Sequence, residues 1–157
     1  MASKSNVKVA VLMGSTSDEK VMQYCLDTLT YFDISYEVHI LSAHRNYQEV
    51  AVFAAGVDDK GFGVIIAGAG MAAHLPGVLA AQTTVPVIGV PLEGSSLGGM
   101  DALYSIVQMP SGIPVATVAI GKTGARNAAV LAAQILALQD ESLRKKLKDF
   151  RKKGSKF

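Results

Sequence analysis

The chain has 157 residues, the length of one ordinary domain, and such a domain buries roughly 70% of the surface that its unfolded form exposes. Hydrophobic residues make up 50% of it and charged residues 18%, with a mean hydropathy of +0.31; this excludes a disordered chain and is more apolar than a solitary small monomer needs, so homo-oligomerisation is expected. The formal charge of +2 hides an asymmetry: eight Lys/Arg stand against three acids from residue 140 onward, and seven against ten before it, so the body is mildly acidic and the tail basic.

Residues 1–6 read as a disordered lead, with no apolar core or small-residue cleavage site of a secretory signal behind them. The longest apolar runs, 9–13 and 64–69, fall far short of the ~18 to 20 residues that a spanning helix needs, so a cytoplasmic protein without membrane contact is expected. Short β-branched or apolar strands are predicted over 7–13, 35–40, 63–67, 85–90 and 115–119. Helices are predicted between and after them, over 18–32, 47–55, 72–82, 99–108 and 125–139, with a terminal one over 141–152. Cys25, the only cysteine, lies mid-helix; it excludes an internal disulfide and a Cys-based zinc cage, and reads as a small buried hydrophobe. The basic tail, residues 141–157, carries only Phe150 and Phe157 as stacking rings and reads as an amphipathic helix that frays from 152 onward, not as a nucleic-acid-binding element.

Strands alternating with helices, in a single domain with no repeat or linker, define an α/β class. Nearly all-apolar strands are those of a parallel sheet covered on both faces, and right-handed crossovers favour a three-layer doubly wound sheet of order 2-1-3-4-5. Ligands in such sheets sit beyond the carboxyl ends of the strands, where the winding reverses, here between the first and third strands with the second alongside.

The loops at that point carry the chemistry. After the first strand come Gly14, Ser15, Thr16, Ser17 and Asp18, hydroxyls and a carboxylate at a helix start, which suit anion binding and ordinary helix capping equally well. Neither the P-loop nor the dinucleotide fingerprint is present. After the second strand come Ser42, Ala43, His44 and Arg45; Arg45 is the only arginine before Arg126 and is able to grip a phosphate bidentately, while His44 suits either loop orientation or ligand contact. The third strand runs into AGAGMAAHLPG, residues 67–77, where small residues let a ligand approach the backbone and His74 lies just beyond. Imidazole, with an unperturbed pKa of about 6.5, moves protons in both directions at neutral pH, which makes His74 the foremost acid/base candidate. His39, inside the second strand, reads as structural. No metal-ligand spacing or nucleophile elbow accompanies these loops. The glycine-rich stretch 91–114 reads as a site wall or a subunit contact.

With GSTSD at 14–18, SAHR at 42–45, AGAGMAAHLPG at 67–77 and LYSIVQMPSGIPVATVAIG at 103–121, the chain resembles the class I N5-carboxyaminoimidazole ribonucleotide mutases (PurE) of de novo purine synthesis, over about residues 7–138. The resemblance implies a flavodoxin-like subunit assembled as a homo-octamer, with the terminal helix packing on a neighbouring subunit. It also implies a small ribonucleotide substrate and no cofactor or metal. Carried onto this chain, Ser15, Ser17, Ser42 and Arg45 would hold the phosphate and Asp18 the ribose. Ala69, Gly70 and Met71 would line the base pocket, with Ala43, His44 and Leu75 beside the ligand and His74 as acid/base. The implied reaction moves a carboxyl group from the exocyclic nitrogen of the imidazole to ring carbon 4. Two positions depart from the family pattern: the usual Thr-Pro after SAHR is Asn46-Tyr47, so Asn46 is expected to cap the next helix, and Met71 stands where glycine is frequent and is expected to narrow the pocket. The class II relatives, which carboxylate aminoimidazole ribonucleotide directly, have lysine at the Arg45 position and lack AAHLPG, so residues 45 and 72–77 favour class I. A non-catalytic receiver module is disfavoured, because Gly14-Ser15 and Gly68-Ala69 stand where its acidic pair and phosphoacceptor Asp would be, and a flavin module because aromatic residues total only 6%, with no Trp.

Overall fold

A computed structural model describes residues 7–157, so the lead read as disordered, 1–6, lies outside them. Five strands, β1 (Lys8–Met13), β2 (Tyr36–Ile40), β3 (Phe62–Gly70), β4 (Val87–Leu92) and β5 (Ala116–Thr117), pair in parallel in the order β2-β1-β3-β4-β5. Six α-helices connect and follow them: α1 (Glu19–Tyr31), α2 (Tyr47–Ala55), α3 (Leu75–Ala80), α4 (Met100–Val107), α5 (Gly121–Leu136) and α6 (Glu141–Lys152). This is the doubly wound α/β architecture that the alternation predicts, and the flavodoxin-like fold that the resemblance implies.

The strand period of two divides the core. Val9, Val11 and Met13 of β1 pack with α1, α5 and α6, whereas Ala10 and Leu12 pack with α2, α3 and α4. All five side chains are at most 1% exposed, which is why 9–13 reads as a continuous apolar run and not as an alternating one. Among the described residues no helix is long and apolar enough to cross a membrane.

Several boundaries differ from the predicted ones, each for a physical reason. β3 runs on to Gly70 because its ladder with β4 continues through Ala69 opposite Pro91 and Gly70 opposite Leu92. β5 keeps only two residues, since it is an edge strand paired on one side and follows Pro114 closely. α3 begins at Leu75 because Met71 adopts a left-handed φ of 56° and its carbonyl accepts from Ala73 N at 2.9 Å, forming a turn where helix was expected. α5 begins four residues early, at Gly121; a Cβ on Gly124 would lie 1.6 Å from the Ala119 carbonyl oxygen, so only glycine lets this first turn sit on the preceding backbone.

α6 is tied to its own subunit. Asp140 caps it by accepting from Leu143 N at 3.0 Å, and the Arg144 guanidinium donates to the Ala137 carbonyl that ends α5, at 3.1 and 3.3 Å. Its apolar residues Leu143 and Phe150 are buried, and the Phe150 ring meets Phe32 edge to face at 5.4 Å. The described chain continues past the end of α6 at Lys152. It turns back through Gly154 and Ser155, both at positive φ, with Ser155 N donating to the Phe150 carbonyl at 3.0 Å, and this sets the Phe157 ring 4.9 Å from Phe150.

Candidate active site

The carboxyl ends of β1, β2, β3 and β4 open into one cleft of about 360 Å³, a size suited to a small ligand. All twelve residues singled out from the sequence line it. Residues 14–18 follow β1 as a tight turn. Ser15 Oγ accepts from Ser17 N at 3.2 Å and from Ser17 Oγ at 3.0 Å, and Asp18 Oδ2 accepts from Ser15 N at 3.1 Å. The motif therefore caps the single 3-10 turn, Thr16–Asp18, that leads into α1, and Ser15, Ser17 and Asp18 lie on the cleft wall while doing so. Asp18 is half-buried, and this desolvation raises its carboxyl pKa above the ordinary aspartate value; the bonds from Ser15, Ser17 and Gly14 pull it the other way without prevailing.

Beyond β2, Ser42 fixes the second loop. Its Oγ accepts from Arg45 N at 3.3 Å, and its carbonyl accepts from Asn46 N at 2.8 Å. Asn46 does not act as the side-chain cap expected of it: it makes no cap bond to α2, and its Oδ1 instead reaches back to accept from Ser42 N at 3.2 Å. The geometry explains the choice, because Ser42 leaves the sheet with a free N–H one turn before the helix and Asn46 closes that turn. Arg45 is exposed on the cleft wall, and its guanidinium has no carboxylate partner among the described residues.

The third wall is the run from Ala69 to Leu75, from the end of β3 to the start of α3. Ala73 and Leu75, each 2% exposed, anchor it in the core below, so that exposed His74 between them is held over the cleft. The His74 ring stands 5.3 Å from that of His44 across the cleft, the planes inclined by 39°. Two imidazoles from different loops thus share one space, a pairing not legible in either loop alone. Sequence reasoning did not single out Ala72, Ala73 or Gly94 as lining residues; Gly94 comes from the 91–114 stretch, which its glycine content had marked as a wall or contact.

His39 lies off the cleft, its ring 4.7 Å from Phe53 and its Nε2 3.6 Å from Glu37 Oε2. Cys25 is fully buried in α1, and burial pushes its thiol up to about 12, which makes it inert. A smaller cleft of about 240 Å³ lies at the opposite end of the sheet, where Lys146 pairs with Asp33; no residue expected at the site lines it.

A switch-point cleft with serine hydroxyls, an unpaired arginine and facing imidazoles is chemically suited to holding a small anionic molecule and moving protons on it. The chain belongs to the AIR carboxylase family, whose model matches residues 8–156. It is 52% identical to the N5-carboxyaminoimidazole ribonucleotide mutase of Escherichia coli K12 over 97% of its own length and 90% of that protein's. To the mutases of Brucella melitensis and Bacillus subtilis it is 54% and 53% identical, each match covering 94% of this chain and 91% of the relative. A crystal structure of Treponema denticola PurE superposes with a TM-score of 0.85 at 30% identity, covering 96% of this chain and 92% of that one.

Proposed function

We propose that the protein converts N5-carboxyaminoimidazole ribonucleotide to 4-carboxy-5-aminoimidazole ribonucleotide. The observation that carries this reading is the meeting of Ser15, Ser17, Ser42 and Arg45 with His74 on one cleft, in a chain more than half identical to relatives named for that reaction. Serine hydroxyls, backbone N–H groups at the helix starts and the Arg45 fork suit a 5′-phosphate; Asp18 suits a ribose hydroxyl. Ala43, Ala69, Gly70, Met71 and Leu75 leave a flat, largely apolar slot for the imidazole, with His44 at its side.

The chemistry then needs only protons and a closed space. The bond between the exocyclic nitrogen and its carboxylate breaks, the electron pair returns to nitrogen, and His74 supplies the proton that the nitrogen takes up. Carbon dioxide stays in the slot. Ring carbon 4 attacks it, forming the new carbon–carbon bond, and the neutral His74 removes the proton from that carbon, recovering the one it gave. The net change is an isomerisation with no proton gained or lost. Exclusion of water matters because escaped carbon dioxide is lost product.

The proposal includes a cytoplasmic homo-octamer. Exposed Leu97, Met100, Tyr104 and Val107 on and beside α4 support a covered face there, and sedimentation of the full chain tests it. Since the apolar side of α6 faces its own subunit, α4 is the better-supported contact. Substrate labelled with ¹³C at its carboxyl group, in unlabelled bicarbonate, tests the reaction. Label at the ring carboxylate is the expected result; unlabelled product made from the bare aminoimidazole and bicarbonate would replace this reading with direct carboxylation.

A further inference from the structure

Asn46 is not among the residues that line the cleft, yet its bonds reach the loop that forms the cleft's second wall. As the residue before α2 it would ordinarily turn its side chain to the first N–H groups of that helix. It gives α2 no such bond and turns instead to Ser42, whose N–H donates to Asn46 Oδ1 at 3.2 Å while the Ser42 carbonyl accepts from Asn46 N at 2.8 Å. One residue thus holds both backbone polar groups of Ser42. Asn46 is in turn tied to the core, since its carbonyl accepts from Val50 N at 3.0 Å and Val50 is fully buried. Ahead of Ser42, Leu41 N donates to the Met13 carbonyl of β1 at 2.9 Å. Ala43, His44 and Arg45 are therefore carried on a short span fastened at both ends, and within it Ser42 Oγ accepts from Arg45 N at 3.3 Å. Among the described residues, Asn46 Oδ1 is the only partner that Ser42 N has.

We propose that Asn46 is a positioning residue for the phosphate grip: its carboxamide holds Ser42 so that the Ser42 hydroxyl and the Arg45 guanidinium meet a 5′-phosphate together. The proposal rests on the phosphate reading of the cleft given above. A two-pronged bond between guanidinium and phosphate is directional, and it survives a displacement of only about 0.5 Å in the residue that carries it. Without Oδ1 the Ser42 N–H turns to water and the 42–46 turn keeps a single backbone tether, so ligand binding has to order a loop that is now ordered beforehand. A carboxamide suits this task because it is neutral. It fixes the loop without pairing with Arg45, whereas a carboxylate so close would compete with the phosphate for the cation.

The test titrates the full-length protein, Asn46→Ala and Asn46→Gly calorimetrically with 4-carboxy-5-aminoimidazole ribonucleotide and with its dephosphorylated nucleoside. Both variants bind the nucleotide roughly two- to twelvefold more weakly, the range of one net hydrogen bond, and bind the nucleoside as the parent does. A merely structural role would weaken both ligands alike. Amide hydrogen exchange at Ser42, followed without ligand, quickens by a similar factor in both variants, and Asn46→Asp, which keeps an acceptor oxygen, restores the parent rate. Circular dichroism checks folding; glycine is well tolerated at a helix start, so Asn46→Gly serves should the alanine variant not fold. A nucleotide loss under twofold in a folded variant, an equal loss for the nucleoside, unchanged exchange at Ser42, or an aspartate variant that exchanges like alanine overturns the positioning role. A parent protein that binds nucleotide and nucleoside equally overturns instead the phosphate reading on which that role depends.

Discussion

Arg45→Ala separates ligand binding from folding. The guanidinium is exposed and unpaired among the described residues, and what fixes the loop is its backbone, through Arg45 N to Ser42 Oγ at 3.3 Å and Asn46 Oδ1 from Ser42 N at 3.2 Å. Neither bond involves the Arg45 side chain. Stability should therefore move by no more than about 0.5 kcal/mol, a shift in Tm of at most about 2 °C for a chain this size. Binding should change far more, because a charge-assisted bond to phosphate contributes about 1.5–3 kcal/mol, or roughly 10- to 150-fold in Kd. Calorimetric titration with 4-carboxy-5-aminoimidazole ribonucleotide measures the loss, and the dephosphorylated nucleoside provides the control. The variant should penalise the nucleotide and leave the nucleoside alone. Arg45→Lys should fall between, since an ammonium keeps the charge without the two-pronged geometry. A loss under about twofold, or an equal loss for nucleoside and nucleotide, would refute the phosphate role.

Three further outcomes follow from the same geometry. His74→Asn should lower kcat by about 10²- to 10⁴-fold while product binding survives, and near-parent turnover would remove His74 from the proton transfers. Because burial raises the Asp18 pKa, the folded state holds that proton more tightly than the unfolded one, so stability falls as pH rises from the ordinary aspartate value of 3.8 through the raised one. Asp18→Asn should accordingly gain Tm relative to the parent at pH 7 and not at pH 3; the reverse order in paired melting curves contradicts the desolvation argument. Cys25 should resist iodoacetamide at pH 8 in the folded protein and react once it is denatured, so stoichiometric labelling of the native chain would mean that α1 opens readily.

The strand order and the location of the cleft were legible because both rest on long-range regularities, the alternation of strand and helix and the reversal of winding between β1 and β3. Of the twelve expected residues, the hydroxyls, Asp18, Arg45 and the two histidines followed from location, since each loop carried its polar residues in one short run, while Ala43, Ala69, Gly70, Met71 and Leu75 came from the family resemblance. What escaped was conformation at single positions. Nothing marks Met71 as left-handed, because methionine has no preference for that region, and the later start of α3 follows from it. Asn46 has the composition of a cap and the geometry of a staple, a choice made by the unpaired Ser42 N–H that only the three-dimensional turn reveals. Gly94 reached the cleft through the pairing of β3 with β4, a contact that neither loop encodes alone.

The position of β2 sets how this protein would fail on warming. It is an edge strand, joined only to β1, and its Val38 and Ile40 side chains are each 41% exposed, yet the loop bearing Ser42 and Arg45 hangs from its end. Strands of this kind open locally well before the central ones. Grip on the nucleotide would therefore loosen while β1, β3 and β4 remain intact, and heat inactivation would begin as a rising KM, reversible on cooling, before any of the central sheet melts.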